Sequence, residues 1–325
     1  MDSVSYFPPG LVVVQVSGPL ILASLGDWGL FGALTVQLYL YYQAFPSDRP
    51  YIKSLVYIVY SLQLVQTIIT AVDSFAAFGS GFGNYVALTE LHLSWFSEVI
   101  VTSMISLMVQ SFYAFRLYSF SKSRIIPVLI VTASLAVSVS GFITAQFSHK
   151  AGYVTTINNR RTSISAGVWL SGSALIDVII AVSMTYYLII RDTGFRQTHA
   201  LISKLIRLTI ETGALTALAA LATLILYLGF PGKGYFILTV NFVPALYANT
   251  LLAILNSRLQ IVGGRSTYPT STDIMTFPDF LRSNETNSGA AAQPAPILSV
   301  HRDVYLDGEV GGSMEMKPVS DGASA

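Results

Sequence analysis

The chain has 325 residues, of which 53% are hydrophobic and only 11% charged, with a formal net charge of +1 and no cysteine. A mean hydropathy of +0.60 excludes an ordinary soluble domain and points to a polytopic membrane protein. Near-neutral charge argues against a nucleic-acid surface, and the lack of cysteine removes disulfides, thiolate metal sites, cysteine nucleophiles and S-palmitoyl anchors.

The opening stretch, MDSVSYFPPGLVVVQVSGP, carries no Lys or Arg ahead of its apolar run. It lacks the basic region of a cleavable signal peptide, so residues 1–18 read as a short extracellular N-terminus before an uncleaved first span. Seven apolar runs long enough to cross hydrocarbon follow, at 19–43, 52–77, 91–116, 125–147, 164–190, 205–229 and 235–256. The expected fold is an all-α membrane protein, a seven-transmembrane helix bundle over 19–258.

Basic residues are unevenly shared between the gaps. Arg49, Lys53, Arg116, Lys122, Arg124, Arg191, Arg196, Lys204, Arg207, Arg258 and Arg265 fall on one side, against Lys150, Arg160, Arg161 and Lys233 on the other. The positive-inside rule then places the N-terminus outside and the C-terminus in the cytoplasm. Aromatic residues, Tyr39, Tyr41, Tyr42 and Phe45 on the first span among them, read as anchors at the inner interface.

From residue 259 the composition turns to Ser, Thr, Pro, Gly and Ala with scattered acids. Such a segment buries too little apolar surface to offset its ordering entropy, so 259–325 is expected to be a disordered cytoplasmic tail. ILSVHRDVYL within it reads as chance local composition or as a short docking motif.

The stretch TGFRQTHALISKLIRLTIETGALT, 193–216, marks the inner entrance to the sixth span. Lys204, Arg207 and Glu211 share one helical face there, and Thr209, Thr212 and Thr216 form a second, small polar stripe. Arg207 can reach Glu211 one turn on. An intrahelical pair at the headgroup level is the simpler reading and an inner switch pair the sharper one.

Four blocks carry a resemblance: GLFGALTVQLYLYYQAFPSDRP, LVYIVYSLQLVQTIITAVDSFAAFGSGFGN, LISKLIRLTIETGALTA and YANTLLAILNSR. Over nearly all of 18–258 the chain resembles a large basidiomycete family of seven-helix membrane proteins, domain-of-unknown-function family 6534. The K-L-I-R-L-x-I-E-T-G and Y-A-N-x-L-L-A-x-L-N-S-R strings are fairly specific to it. The resemblance implies fold and topology, and brings no activity and no catalytic residues.

An ionisable side chain at the bilayer centre costs about 2.5–3.5 kcal/mol on the insertion scale, so Asp27, Glu98, Asp177 and Glu211 each call for a reason. Asp177 lies mid-span with Ser173, Ala166, Ala174 and Ala181 around it, which suits close packing and an inward direction. It reads as a proton, cation or ligand site, or as a hydrogen-bonded pin between helices. Glu98 belongs to a slowly winding stripe, Ser94, Glu98, Thr102, Ser106 and Gln110, which is either a wet pathway or interhelical bonding. Gln63, Thr67, Thr70, Asp73 and Ser74 make a comparable stripe on the second span. Asn241, Asn249 and Asn256 recur on the seventh, where Pro244 is expected to kink the helix. If Asp27, Asp73, Glu90 and Glu98 converge with His92, the outer mouth is acidic and draws cations or amines.

Several chemistries are missing. No lysine occurs between Tyr235 and Asn256 for a retinal Schiff base, and GSGFG at 79–83 and FPGKG at 230–234 match no nucleotide-binding fingerprint. Of the four histidines only His92 lies near a span, too few for a seven-helix metallohydrolase. The expectation is therefore a non-enzymatic protein with no cofactor, no metal and no catalytic residues. Two function classes remain, a receptor-like seven-helix sensor and a transporter or channel for a small solute or cation. The sensor is preferred for its N-out topology, odd span number and basic inner loops. Asp177, Glu98, Asp27 and Asn249 are the ligand or ion candidates. The expected partners are the lipid bilayer, a small-molecule ligand of unspecified kind and a cytoplasmic protein on the basic loops, with the plasma membrane preferred over internal ones.

Overall fold

In a computed structural model the chain is described at residues 13–121, 123–190 and 196–258, with side chains throughout except at Tyr85 and 196–205. The expected disordered tail, the docking motif in it, the first twelve residues and the Lys204 side chain lie outside the described residues. Two units divide the chain, Met1–Ile261 and Val262–Ala325, and all described residues belong to the first.

Among the described residues seven helices are long and apolar enough to cross a membrane: Val14–Ala44, Pro50–Ser80, Trp95–Ser121, Ile125–Ala151, Arg160–Ile190, Ile206–Gly229 and Tyr235–Asn256. We number the helices α1 (Val14–Ala44), α2 (Pro50–Phe75), α3 (the short Tyr85–Thr89), α4 (Thr102–Ser121), α5 (Ile125–Ala151), α6 (Arg160–Ile190), α7 (Arg196–Gly229) and α8 (Tyr235–Asn256). π-helical turns extend α2 through Ala76–Ser80 and lead into α4 from Trp95–Val101. The end where α1 begins is called upper and the opposite end lower.

Local chemistry sets several boundaries. Pro50 opens α2, where its missing N–H is no loss, and Gly152 closes α5 at φ 73°, a left-handed position that a glycine takes without strain. The Asn159 side chain accepts from the Thr162 N–H at 3.0 Å and starts α6 four residues before the expected 164. α1 also starts early, at Val14, and carries Pro19 inside it at the loss of one backbone hydrogen bond. Pro244 does not interrupt α8, which stays helical from Tyr235 to Asn256.

α1 packs chiefly on α8, α6 on α7 and α5, and α4 reaches α2, α5, α6 and α8. The span Trp95–Ser121, which contains α4, and α8 are the most enclosed, so these two form the axis of the bundle. One apolar core gathers Leu34, Ile105, Val109, Met184, Leu251 and Leu252, and a second, nearer the upper end, Ala23, Val99, Ala145, Trp169 and Val240. Outward, Leu25, Val36, Ile125, Leu129, Leu175, Val182, Leu218 and Ile225 are exposed. A soluble protein does not show water so much contiguous apolar surface, whereas a bilayer solvates it.

Small residues let the helices approach. A Cβ on Gly141 of α5 would run into the Ser103 hydroxyl of α4 and meet the Trp169 ring of α6 at 3.1 Å. At the lower end Tyr41, expected as an interfacial anchor, is instead 1% exposed and donates its hydroxyl to Asp48 Oδ2 at 3.0 Å. Arg258 grips the same carboxylate through both terminal nitrogens, at 3.2 and 2.5 Å, and lies 4.3 Å over the Phe45 ring. The end of α8 is thereby tied to the α1–α2 turn by a two-pronged charge-assisted contact.

Two outcomes are expected. Replacing Gly141 by Leu forces three helices apart and should lower stability by about 1–3 kcal/mol, read as the unfolding midpoint in detergent. Asp48 is held below the usual carboxylate range, first by the hydrogen bonds from Arg258 and then by that from Tyr41, against an opposing effect of burial. A depressed folded value stabilises the fold above the unfolded pKa of about 3.9 and loses that contribution as pH falls through the folded value. Asp48→Asn should therefore be less stable than the parent near neutral pH, by about 1 kcal/mol after solvent screening, with the gap closing in acid.

Candidate functional site

Three acids lie inside the bundle, and each faces a carboxamide from another helix. Asp27 on α1, fully buried, accepts from Gln63 Nε2 of α2 at 3.0 Å. Glu98, in the π-helical turn before α4, accepts on Oε1 from Asn241 Nδ2 of α8 at 3.1 Å. Asp177 on α6 accepts from Gln110 Nε2 of α4 at 2.9 Å and from the Tyr247 hydroxyl of α8 at 2.7 Å. All three side chains point inward, as an acid among acyl chains must not.

The Asp177 pocket is small, about 10 Å³, and the α7 stripe Thr209, Thr212 and Thr216 lines it beside Gly213 and Tyr247. Gly213 lets α7 come close, since a Cβ there would stand 3.2 Å from Ala181 and 3.5 Å from the Asp177 carbonyl oxygen. The sixth-span threonines thus face Asp177, a connection that residue spacing did not reveal. Both Asp177 oxygens are engaged, and the local geometry is that of a pin joining α4, α6 and α8.

Around Glu98 the arrangement differs. A cavity of about 40 Å³ opens beside it between α5, α6, α7, α8 and the π-helical turn. Its walls are mostly aromatic and aliphatic: Trp95, Trp169, Tyr227, Phe236, Leu170 and Val240. Four Ser and Thr residues also line it, Thr144, Ser148, Thr162 and Thr223, and the hydroxyls of Ser148 and Thr162 are buried with no partner among the described residues. Among the described residues, Oε2 of Glu98 has no hydrogen-bond donor.

The upper connections cover this cavity with Leu91 and Ile157. Their loops are tied together by Leu91 N–H to the Gly152 carbonyl and Val154 N–H to the Thr89 carbonyl, both 2.8 Å. Tyr227 secures the cover, donating its hydroxyl to the Ile157 carbonyl at 3.1 Å, and Asn158 donates to the Tyr227 carbonyl at 3.2 Å. The volume admits roughly two or three waters; anything larger requires the Leu91–Ile157 cover to move.

Three of the five residues of the winding stripe that leads into α4 bond to other elements. Ser94 donates to Asp73 Oδ2 at 2.7 Å, Glu98 meets Asn241, and Gln110 meets Asp177. The π-helical turn, wider than an α-turn, keeps residues four apart nearer one line than the α-helical drift would. Asn241 also accepts from the Thr70 hydroxyl at 3.3 Å, which links the second-span stripe to Glu98. The acidic mouth forms only in part: Asp73 holds Ser94, and Glu90 lies 3.8 Å from His92, while Asp27 is deep in the bundle against Gln63.

Asn249 is placed as a clasp. Its amide donates to the Leu30 carbonyl of α1 at 3.1 Å, its Oδ1 accepts from Gln37, and Asn256 donates to the Gln37 carbonyl at 2.8 Å. Asn241 lies about 80° round the helix from Asn249 at 100° per residue, and so faces α2 and Glu98 instead. Arg207 Nε donates to Glu211 Oε1 at 2.7 Å on an exposed face, 80% and 54% accessible.

Fold and buried polar network together define a helical bundle of membrane-spanning type with an enclosed acidic cavity. Residues 173–260 match the model of a family described as a family of unknown function (DUF6534). That range includes both of the more specific strings, in α7 and α8. No curated protein and no solved structure matches the chain.

Removing the acceptor should separate pinning from filling. Asp177→Leu leaves the Gln110 amide and the Tyr247 hydroxyl unpaired and should lower stability by about 1–3 kcal/mol, whereas Asp177→Asn keeps an acceptor and should lower it by less. Equal midpoints for the two variants would show that these bonds do not hold the helices together.

Proposed function

We propose that this chain is a non-enzymatic seven-helix sensor, N-terminus outside and C-terminus cytoplasmic, whose ligand enters the covered cavity at Glu98. The reading extends family membership from 173–260 to the whole of 19–258 and to its basidiomycete relatives. It favours the plasma membrane, where an upper cavity faces the exterior. The carrying observation is Glu98, bonded through one oxygen only, beside aromatic walls and two hydroxyls that have no partner among the described residues. Such a site suits a small amine with an apolar body: the carboxyl takes the N–H donors, and Trp95, Trp169 and Phe236 take the rest. The π-helical turn supports the same assignment, since such turns concentrate at functional sites. Binding would lift the Leu91–Ile157 cover, and the basic lower loops offer a cytoplasmic protein its contact.

A second reading, a carrier for a small solute or cation, draws on the column of buried polar groups on α2. Gln63 Oε1 and both amide atoms of Gln66 have no partner among the described residues, and the column continues through Thr70 and Asn241 to Glu98.

Tryptophan fluorescence tests the sensor reading directly, because two of the three tryptophans line the cavity. With the full chain in lipid nanodiscs, 2-phenylethylamine should change the emission saturably, 2-phenylethanol should do so more weakly, and Glu98→Gln should abolish the preference for the amine. An unsaturable response, or one indifferent to Glu98→Gln, contradicts it. Uptake of the amine into protein-containing liposomes without any partner would favour the carrier.

A further inference from the structure

On the outside of the bundle a separate groove opens between α4 and α5, next to the lower turn that joins them. It encloses about 490 Å³, within the size range of small-molecule sites. Small residues carve it: Ser111 and Ala114 stand where a larger side chain would close the gap, and Pro127 lies at its base. Phe115 and Val128, 47% and 57% exposed, form its walls, and both belong to the apolar surface that faces hydrocarbon. Ser111 lies ten residues above the end of α4, so the groove runs upward by about 15 Å at 1.5 Å per residue. That is a slot along the membrane normal, with its apolar part buried in the bilayer and its lower rim at the headgroups.

The rim is positive. Arg124 is exposed and lines the groove with Tyr118, and among the described residues it has no acidic partner. It opens α5, whose first turn holds no acidic side chain and whose start has no side-chain cap. The positive end of the helix dipole therefore adds to the guanidinium instead of being neutralised. A guanidinium at this depth is matched by a phosphate, and the walls above it by an acyl chain.

We propose that the α4–α5 groove binds one anionic glycerophospholipid, its headgroup phosphate on Arg124 and an acyl chain against Phe115 and Val128. This site is distinct from the Glu98 cavity and does not depend on it. A neutral lipid fills the same slot without engaging the charge, so selectivity between headgroups is the signature.

Full-length protein is purified from bilayers containing equal phosphatidylglycerol and phosphatidylcholine, and retained lipid is counted by native mass spectrometry. One basic residue near a membrane surface is worth a preference of about five-fold for the anionic lipid. The parent should retain a single phosphatidylglycerol at about that ratio. Arg124→Gln should bring the ratio to about one while lipid is still retained, and Val128→Trp, which fills the slot, should remove both lipids. Leu129→Trp, equally exposed on α5 but outside the groove, should leave the parent pattern unchanged. Because all three side chains face outward, unfolding midpoints in pure phosphatidylcholine should match the parent and show that the variants fold. Equal retention of the two lipids by the parent, or a preference that survives Arg124→Gln or Val128→Trp, overturns the proposal.

Discussion

The structure depends on how a carboxyl group is accommodated where water is excluded. An acid in a low-dielectric interior needs donors held in place, because the bilayer cannot supply them. Here the answer is repeated three times: Gln63 for Asp27, Asn241 for Glu98, Gln110 with Tyr247 for Asp177. Each pair spans two helices, so satisfying the acid also fixes which helices are neighbours. Apolar contact alone cannot do this in a membrane, where lipid tails compete equally for every Leu and Ile.

The three sites are not equivalent. Asp177 uses both oxygens and sits beside little free space, which makes it a structural joint. Glu98 uses one oxygen and looks onto a cavity in which two hydroxyls, of Ser148 and Thr162, have no partner among the described residues. Incomplete hydrogen bonding is costly to keep unless something completes it; Asp27 too keeps one buried oxygen without a partner among the described residues, so it is the adjoining cavity that sets Glu98 apart. The cover over the cavity is built from connections between helices, the part of the fold that can open without disturbing the α4–α8 axis.

Apolar run length made the seven helices legible, since membrane hydrocarbon fixes length and allows few alternatives. Inward placement of Asp177 was also legible, because Ser173, Ala174 and Ala181 around it can only serve close packing. Partners were not. Glu98 and Asn241 are 143 residues apart, and Asp48 and Arg258 are 210, and pairs so distant in sequence leave no periodic trace. Arg258 counted correctly as a charge at the lower end, yet its grip on Asp48 and Phe45 belongs to the folded chain alone. For Asn249 the polar group inside a span was legible, but its bonds to the Leu30 carbonyl and the Gln37 amide across the α1–α8 interface were not. The covered cavity left no mark either, being formed by Trp95 and Trp169 from separate spans and by two loops.

A lipid-facing belt surrounds an inward polar network, and α6 displays the contrast within two adjacent residues. Ala174, 3% exposed, shares the Asp177 face, while Leu175, 61% exposed, turns away. The chain has no cysteine, so Ala174→Cys and Leu175→Cys can each carry a single spin label in nanodiscs without further change. Electron paramagnetic resonance should find the label at 175 mobile and relaxed by dissolved oxygen, and the label at 174 immobile and shielded. Equal oxygen accessibility at the two positions, or the reverse order, would contradict the account.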